Sequence, residues 1–352
     1  MSLMILPKEA IAPFVEAMMA DYRVVGPKAK GPQFVFDVLE TSDELRLDYN
    51  TTILPPKKFF QPPRERLLTF KGRPKPEVRM VVEAEPTVLF GVHSCDLHAL
   101  QLLDRAFADV YPDHHYLKRR ESTLIVGLEC LGPCDEYAFC NSMGTMNAYD
   151  GFDLYLTDIG EGYVVEVATE AGERLLNDYA DGSVRAATET EWHEVETLRR
   201  TKGDRFPNRL EFSTADLVPM LTLAYGHPIW DEIGARCLGC GSCTNVCPTC
   251  YCFDVLDDVD FSLVNGERQR QWDSCLLDDF ARVAGGENFR ETYADRLRHR
   301  HMHKLKYLYE RFGLPGCVGC GRCSRTCVAK INIVETLNAI HRAVIPQKEV
   351  EL

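Results

Sequence analysis

One spacing occurs twice in this chain. Cys237, Cys240, Cys243 and Cys247 are set C-x2-C-x2-C-x3-C, and Cys317, Cys320, Cys323 and Cys327 repeat it. Three cysteines at this spacing let one tight loop present three thiolates to one face of an iron–sulfur cubane. The fourth starts the next segment and swings away to the other cluster. A first cluster therefore takes Cys237, Cys240, Cys243 and Cys327, and a second takes Cys317, Cys320, Cys323 and Cys247. This crossing ties two distant segments into one fold. Gly241 and Gly321 follow the second cysteine of each run and permit positive φ there. Zinc is the competing reading, but four-cysteine zinc sites normally pair C-x2-C knuckles. Pro248 follows the first run in the usual way, whereas Val328 replaces that proline in the second. Valine adds an N–H without disturbing ligation by Cys327.

The rest of the composition narrows the function. The chain has 352 residues, 15 cysteines and a formal net charge of −13. That charge disfavours nucleic acid and favours a soluble, cytoplasmic protein. No apolar stretch is long enough to span a bilayer, and Glu9, Glu16 and Asp21 argue against a leader peptide. Without export, the cysteines read as metal ligands rather than disulfides. The G-x-G pairs inside the cysteine runs are cluster loops. No Walker motif or dinucleotide fingerprint is evident, so no NAD or flavin site is expected in this chain and no catalytic residue is assigned.

Apolar runs at 33–40, 87–92 and 122–130 read as strands, and FDLYLT and YVVEVAT as a hairpin. Helices are expected over 8–20, from an Asp96 cap to Phe107, and over 169–179. The expected domains are an α/β domain over 1–185, a linker over 186–212 and a dicluster domain over 213–345. The last is expected to be mainly α-helical and ferredoxin-like, with a long insertion, 248–316, packed over the clusters. TTILPPKKFFQPPRERLL (51–68) reads as a proline-braced loop packed on its own domain; the other reading sets Phe59 and Phe60 beside a partner flavin.

Seven cysteines remain. Cys95, Cys130, Cys134 and Cys140 lie at or near the ends of predicted strands, where α/β folds place ligands. They read either as a third 4Fe-4S site, with Asp96 as a substitute oxygen ligand, or as buried free thiols. Cys250, Cys252 and Cys275 read as thiols packed beside the clusters, with ligation of a further cluster as the alternative. His299 and His303 have i, i+4 metal-ligand spacing. The surrounding Arg296, Arg298, Arg300, Lys304 and Lys306 favour a basic face that offsets cluster charge or docks an acidic partner.

CPTCYCFDV (247–255), WDSC (272–275), FARVAGGENFR (280–290), RLRHRHMHK (296–304) and CVGCGRC (317–323) together resemble the beta subunits of sulfhydrogenases, which are soluble NAD(P)-linked NiFe hydrogenases, and the dicluster subunits of anaerobic sulfite reductases. LPPKKFFQPPRE (54–65) and GVHSCDLHAL (91–100) extend the likeness upstream. The resemblance implies an electron-transfer subunit within a multisubunit oxidoreductase. It would relay electrons between a flavin- and NAD(P)H-binding subunit and a terminal one. That terminal partner is a NiFe hydrogenase small subunit or, alternatively, a sirohaem reductase subunit. A non-catalytic iron–sulfur sensor or scaffold is the reading from another class, and no output module supports it.

Overall fold

Strands in the N-terminal half follow the apolar runs. The computed structural model describes residues 2–345. Its strands are β1 (Ser2–Pro7), β2 (Arg23–Lys30), β3 (Gln33–Val38), β4 (Arg64–Lys71), β5 (Glu77–Met80), β6 (Thr87–His93), β7 (Thr123–Leu128), β8 (Leu154–Asp158), β9 (Gly162–Val167), β10 (Arg185–Ala186), β11 (Phe253–Val259) and β12 (Asn265–Trp272). Eight form one sheet in the order β10-β1-β9-β8-β7-β6-β2-β3. Its centre, from β8 through β7 and β6 to β2, is parallel. Continuous apolar runs suit strands covered on both faces, and every residue of β6 is buried. β8 and β9 form the expected antiparallel hairpin. Phe14, Phe36, Phe90, Leu103, Val126 and Tyr155 belong to the core around this sheet.

Local chemistry moves several boundaries. Pro13 sits in the first turn of helix Ile11–Met18, where its missing N–H has no partner to lose. A short 3-10 turn, Lys8–Ala10, fills the expected start. Helix Ser94–Ala108 starts two residues before Asp96, with His93 at the N-cap position and no side-chain cap; both Asp96 oxygens accept from Arg322 instead.

Two segments hold more regular structure than their sequence suggests. Residues 186–212, expected as a linker, carry helix Glu189–Thr201, started by a Thr188–Glu191 capping box. Arg199 on this helix is buried against Glu129, 2.7 Å away, and against Glu166 of β9, so the segment belongs to the sheet's packing. The C-terminal half is also less helical than its polar sequence suggests. β11 and β12 pair antiparallel within the insertion, and β12 pairs with β4, giving a second sheet in the order β11-β12-β4-β5. Arg270 on β12 points inward and bonds Glu65 on β4 at 2.8 Å, which conceals the strand from a hydropathy reading.

Helices dominate the rest of the C-terminal half. Leu217, Trp230, Leu297, Met302, Leu305 and Leu337 pack into a second core that includes Cys317. Among the described residues, no helix is long and apolar enough to cross a membrane.

Candidate metal centres

The first run folds as a loop followed by one helical turn, Ser242–Asn245, which carries Cys243. Gly239 and Gly241 take φ of +60° and +73°, as the tight loop requires. The Gly239 N–H donates to Cys237 Sγ at 3.4 Å, and the Ile331 N–H donates to Cys327 Sγ at 3.3 Å. Cys237, Cys240, Cys243 and Cys327 all line one cavity, whose walls include Leu276, Leu297 and Ile333. Cys323 also borders it, whereas Cys247 is not among its described lining residues.

Cys247 faces the second run. It lies within electrostatic reach of Cys317 and Cys320, as these do of Cys323. Burial pushes the Cys317 thiol up to about 11 and raises that of Cys320 further. Lys304, 4% exposed, donates to Cys247 Sγ at 3.1 Å, to Thr249 Oγ1 at 2.5 Å and to the Gly316 carbonyl at 2.6 Å. Burial opposes the Lys304 charge, but the thiolates of Cys247, Cys250 and Cys317 outweigh it and raise its pKa.

Arg300 supplies a test of fit. It is buried and borders the first cavity, and Cys243, Cys323, Cys250 and Cys247 favour its charge. Yet its Nε and one terminal nitrogen have no hydrogen-bond partner. A buried guanidinium with idle donors calls for an anion. A thiolate-ligated iron–sulfur cluster is anionic and carries sulfur acceptors, so the side chains present suit it. Among the described residues, no three Cys, His, Asp or Glu side chains group as ligands of a single ion. A cubane takes one ligand at each iron corner, so its thiolates stand wider apart.

The N-terminal cysteines also gather. β6 and β7 are neighbours, with His93 level with Leu128, so Cys95 and Cys130 leave adjacent strand ends. Cys130 and Cys134 are close neighbours, His93 adjoins Cys134, and Cys140 and Cys95 each lie within electrostatic reach of Cys134. Their mutual interaction raises the Cys130 pKa and lowers that of Cys134. Burial pushes Cys140 up to about 12. The second run reaches this group: Cys95 packs with Val318 and Cys320, and the Phe139 N–H donates to the Gly319 carbonyl at 2.8 Å. Asp96 stands apart as a ligand, because Arg322 holds both its oxygens at 2.7 Å in a buried pair.

Cys250, Cys252 and Cys275 share a second cavity with His299, His303 and Arg300. The expected basic face is largely turned inward: Arg296, Arg300 and Lys304 are buried. A lysine- and arginine-rich helix reads as solvated, but thiols opposite it reverse that preference. Burial holds both His299 and His303 down at about 4. The proline-braced loop packs on its own domain and on the dicluster half as well. Phe60 is fully buried in the main core, and Lys57 donates to the Cys250 carbonyl and lies 4.4 Å from the centre of the Trp272 ring. Lys57 and Arg322 were not picked out from the sequence. Only a lysine between prolines and an arginine beside a ligand cysteine marked them.

Residues 236–331 match the 4Fe-4S dicluster domain family, so the chain carries iron–sulfur clusters. Over 323 residues it is 38% identical to Sulfhydrogenase 2 subunit beta of Pyrococcus furiosus, a match that covers 92% of this chain and 93% of that relative. This identity, sustained through both halves, makes the chain a member of the sulfhydrogenase beta-subunit family.

Proposed function

We propose that this chain is the iron–sulfur electron-transfer subunit of a NiFe hydrogenase complex, relaying electrons between a flavin- and NAD(P)H-binding subunit and a hydrogenase subunit. One observation carries the reading: the three cysteine groups are contiguous. Cys323 borders the first cavity and lies within electrostatic reach of Cys317 and Cys320, and Cys320 packs against the cluster of Cys95, Ala99 and Val318. Cys237, Cys240, Cys243 and Cys327 hold the first cluster, and Cys317, Cys320, Cys323 and Cys247 the second. Cys95, Cys130, Cys134 and Cys140 hold a third. The dicluster half carries the first two, and the α/β half, with 186–212 packed on its sheet, carries the third. Each bound cluster supplies one-electron transfer. The chain's own residues exclude water with apolar walls, donate N–H groups to the ligand sulfurs and place Lys304 and Arg300 against their negative charge.

Anaerobic reconstitution of the full chain tests the third site. Cys134→Ser should remove about four irons and leave the signals of the two dicluster sites; unchanged iron would sink the assignment. Purification of the native complex tests the partners. Nickel and a flavoprotein should copurify, whereas sirohaem would move the chain to the sulfite-reductase reading. The family membership favours the hydrogenase.

A further inference from the structure

Three cysteines outside those groups lie in one place. Cys250 and Cys252 follow the first run, and Cys275 lies just beyond β12. All three line a cavity of about 260 Å³. The Cys252 and Cys275 thiols lie close to one another, and so do those of Cys250 and Cys247. Cys250 thus stands in the wall between this cavity and the second dicluster site. The cysteines are held there by backbone pairing: the Asp273 N–H donates to the Cys252 carbonyl at 3.0 Å, and Phe253 is in register with Trp272.

The opposite wall supplies nitrogen. His299 and His303 both line the cavity, and their rings are 5.8 Å apart. Tyr251, between Cys250 and Cys252, sets its ring 5.9 Å from that of His303. The helix departs from α geometry there, because His303–Tyr307 is a π turn. A π turn inserts a residue and re-aims side chains, and such turns concentrate at functional sites. Arg300, whose Nε and one terminal nitrogen are buried without partners, borders this cavity too. It is 6% exposed.

We infer that this cavity is a further iron–sulfur site, with Cys250, Cys252 and Cys275 as thiolate ligands and His303 as the fourth. Three thiolates with one imidazole carry one negative charge fewer than four thiolates. The site is therefore more easily reduced than an otherwise equal all-cysteine site. It adjoins Cys247 through Cys250, so it sits beside the second dicluster cluster as an electron reservoir or an entry point.

The test uses the full chain, reconstituted anaerobically with iron and sulfide. Wild type should hold about four irons more than the three proposed clusters require. The Cys252→Ser/Cys275→Ser double variant should lose those irons and keep the remaining electron-spin signals. The reduced wild type should show the nitrogen hyperfine coupling of a bound imidazole. His303→Cys, which retains a ligand at that corner, should abolish the coupling while keeping the iron. Full iron in the double variant overturns the site. A coupling absent from wild type, or unchanged in His303→Cys, overturns the histidine ligand. The proposed third cluster stands or falls separately on Cys134→Ser, so its failure leaves these readouts intact.

Discussion

Lys304 is where charge and ligand meet most closely. Its ammonium touches Cys247 Sγ at 3.1 Å in a dry setting and has two oxygen partners besides. A hydrogen bond and a positive charge at a ligand sulfur both favour the reduced cluster. Lys304→Met should therefore lower the potential of the cluster held by Cys247. The expected shift is on the order of 60 mV, the one-electron equivalent of about 1.4 kcal/mol. A redox titration followed by electron-spin signal measures it, and an unchanged potential would remove Lys304 from this role. Arg322 and Asp96 act on stability instead. Each is almost fully buried, and they bond through two oxygens at 2.7 Å. Asp96→Ala strands a buried guanidinium and should cost roughly 3–5 kcal/mol, visible as a lower midpoint in thermal unfolding. Adding Arg322→Met should recover much of it. If the double variant is no more stable than the single, the pair is not the cause.

The cysteine loops show how tightly elements constrain one another. A Cβ at Gly319, φ +67°, would come within 2.6 Å of the Cys140 backbone. At Gly321, φ +72°, it would meet Tyr137 backbone atoms at the same distance. Gly319→Ala should thus disturb the Cys140 segment as well as its own loop and reduce iron at both sites. Gly285→Ala, where a Cβ would meet nothing within 4 Å, should be silent. Equal iron content in the two variants would refute the close approach. The need for glycine at 241 and 321 was legible in the sequence, because the cysteine spacing already demanded a tight loop. So were β6, β7 and the hairpin of β8 and β9, whose apolar runs leave little choice. The second sheet was not. β4 and β12 are distant in sequence, and β12 buries Arg270 on Glu65, so no alternation of apolar and polar residues announces it. The inward charges of Arg300 and Lys304 were hidden for the same reason. A cation's burial depends on what faces it, and in sequence those partners lie elsewhere.

Across the whole molecule the two halves are built from each other. β4 and β5 come from the N-terminal half and complete the sheet of the insertion. Lys57 reaches the Cys250 carbonyl, Thr145 Oγ1 donates to the Val318 carbonyl at 2.6 Å, and Arg322 bonds both Asp96 and Thr52. Residues 1–212 expressed alone should therefore stay colourless when given iron and sulfide, although they contain Cys95, Cys130, Cys134 and Cys140. Stable brown colour in that fragment would show the site to be self-sufficient. The backing of Cys140 by Gly319 also has a consequence in time. Cys95, Cys130, Cys134 and Cys140 leave the ribosome well before the loop that closes over them. The third site proposed there would be incomplete throughout synthesis, so its loading would wait until the second cysteine run has been made. Assembly of the chain is then a post-translational event with a fixed order, in which a nascent or truncated product cannot take up a full complement of iron.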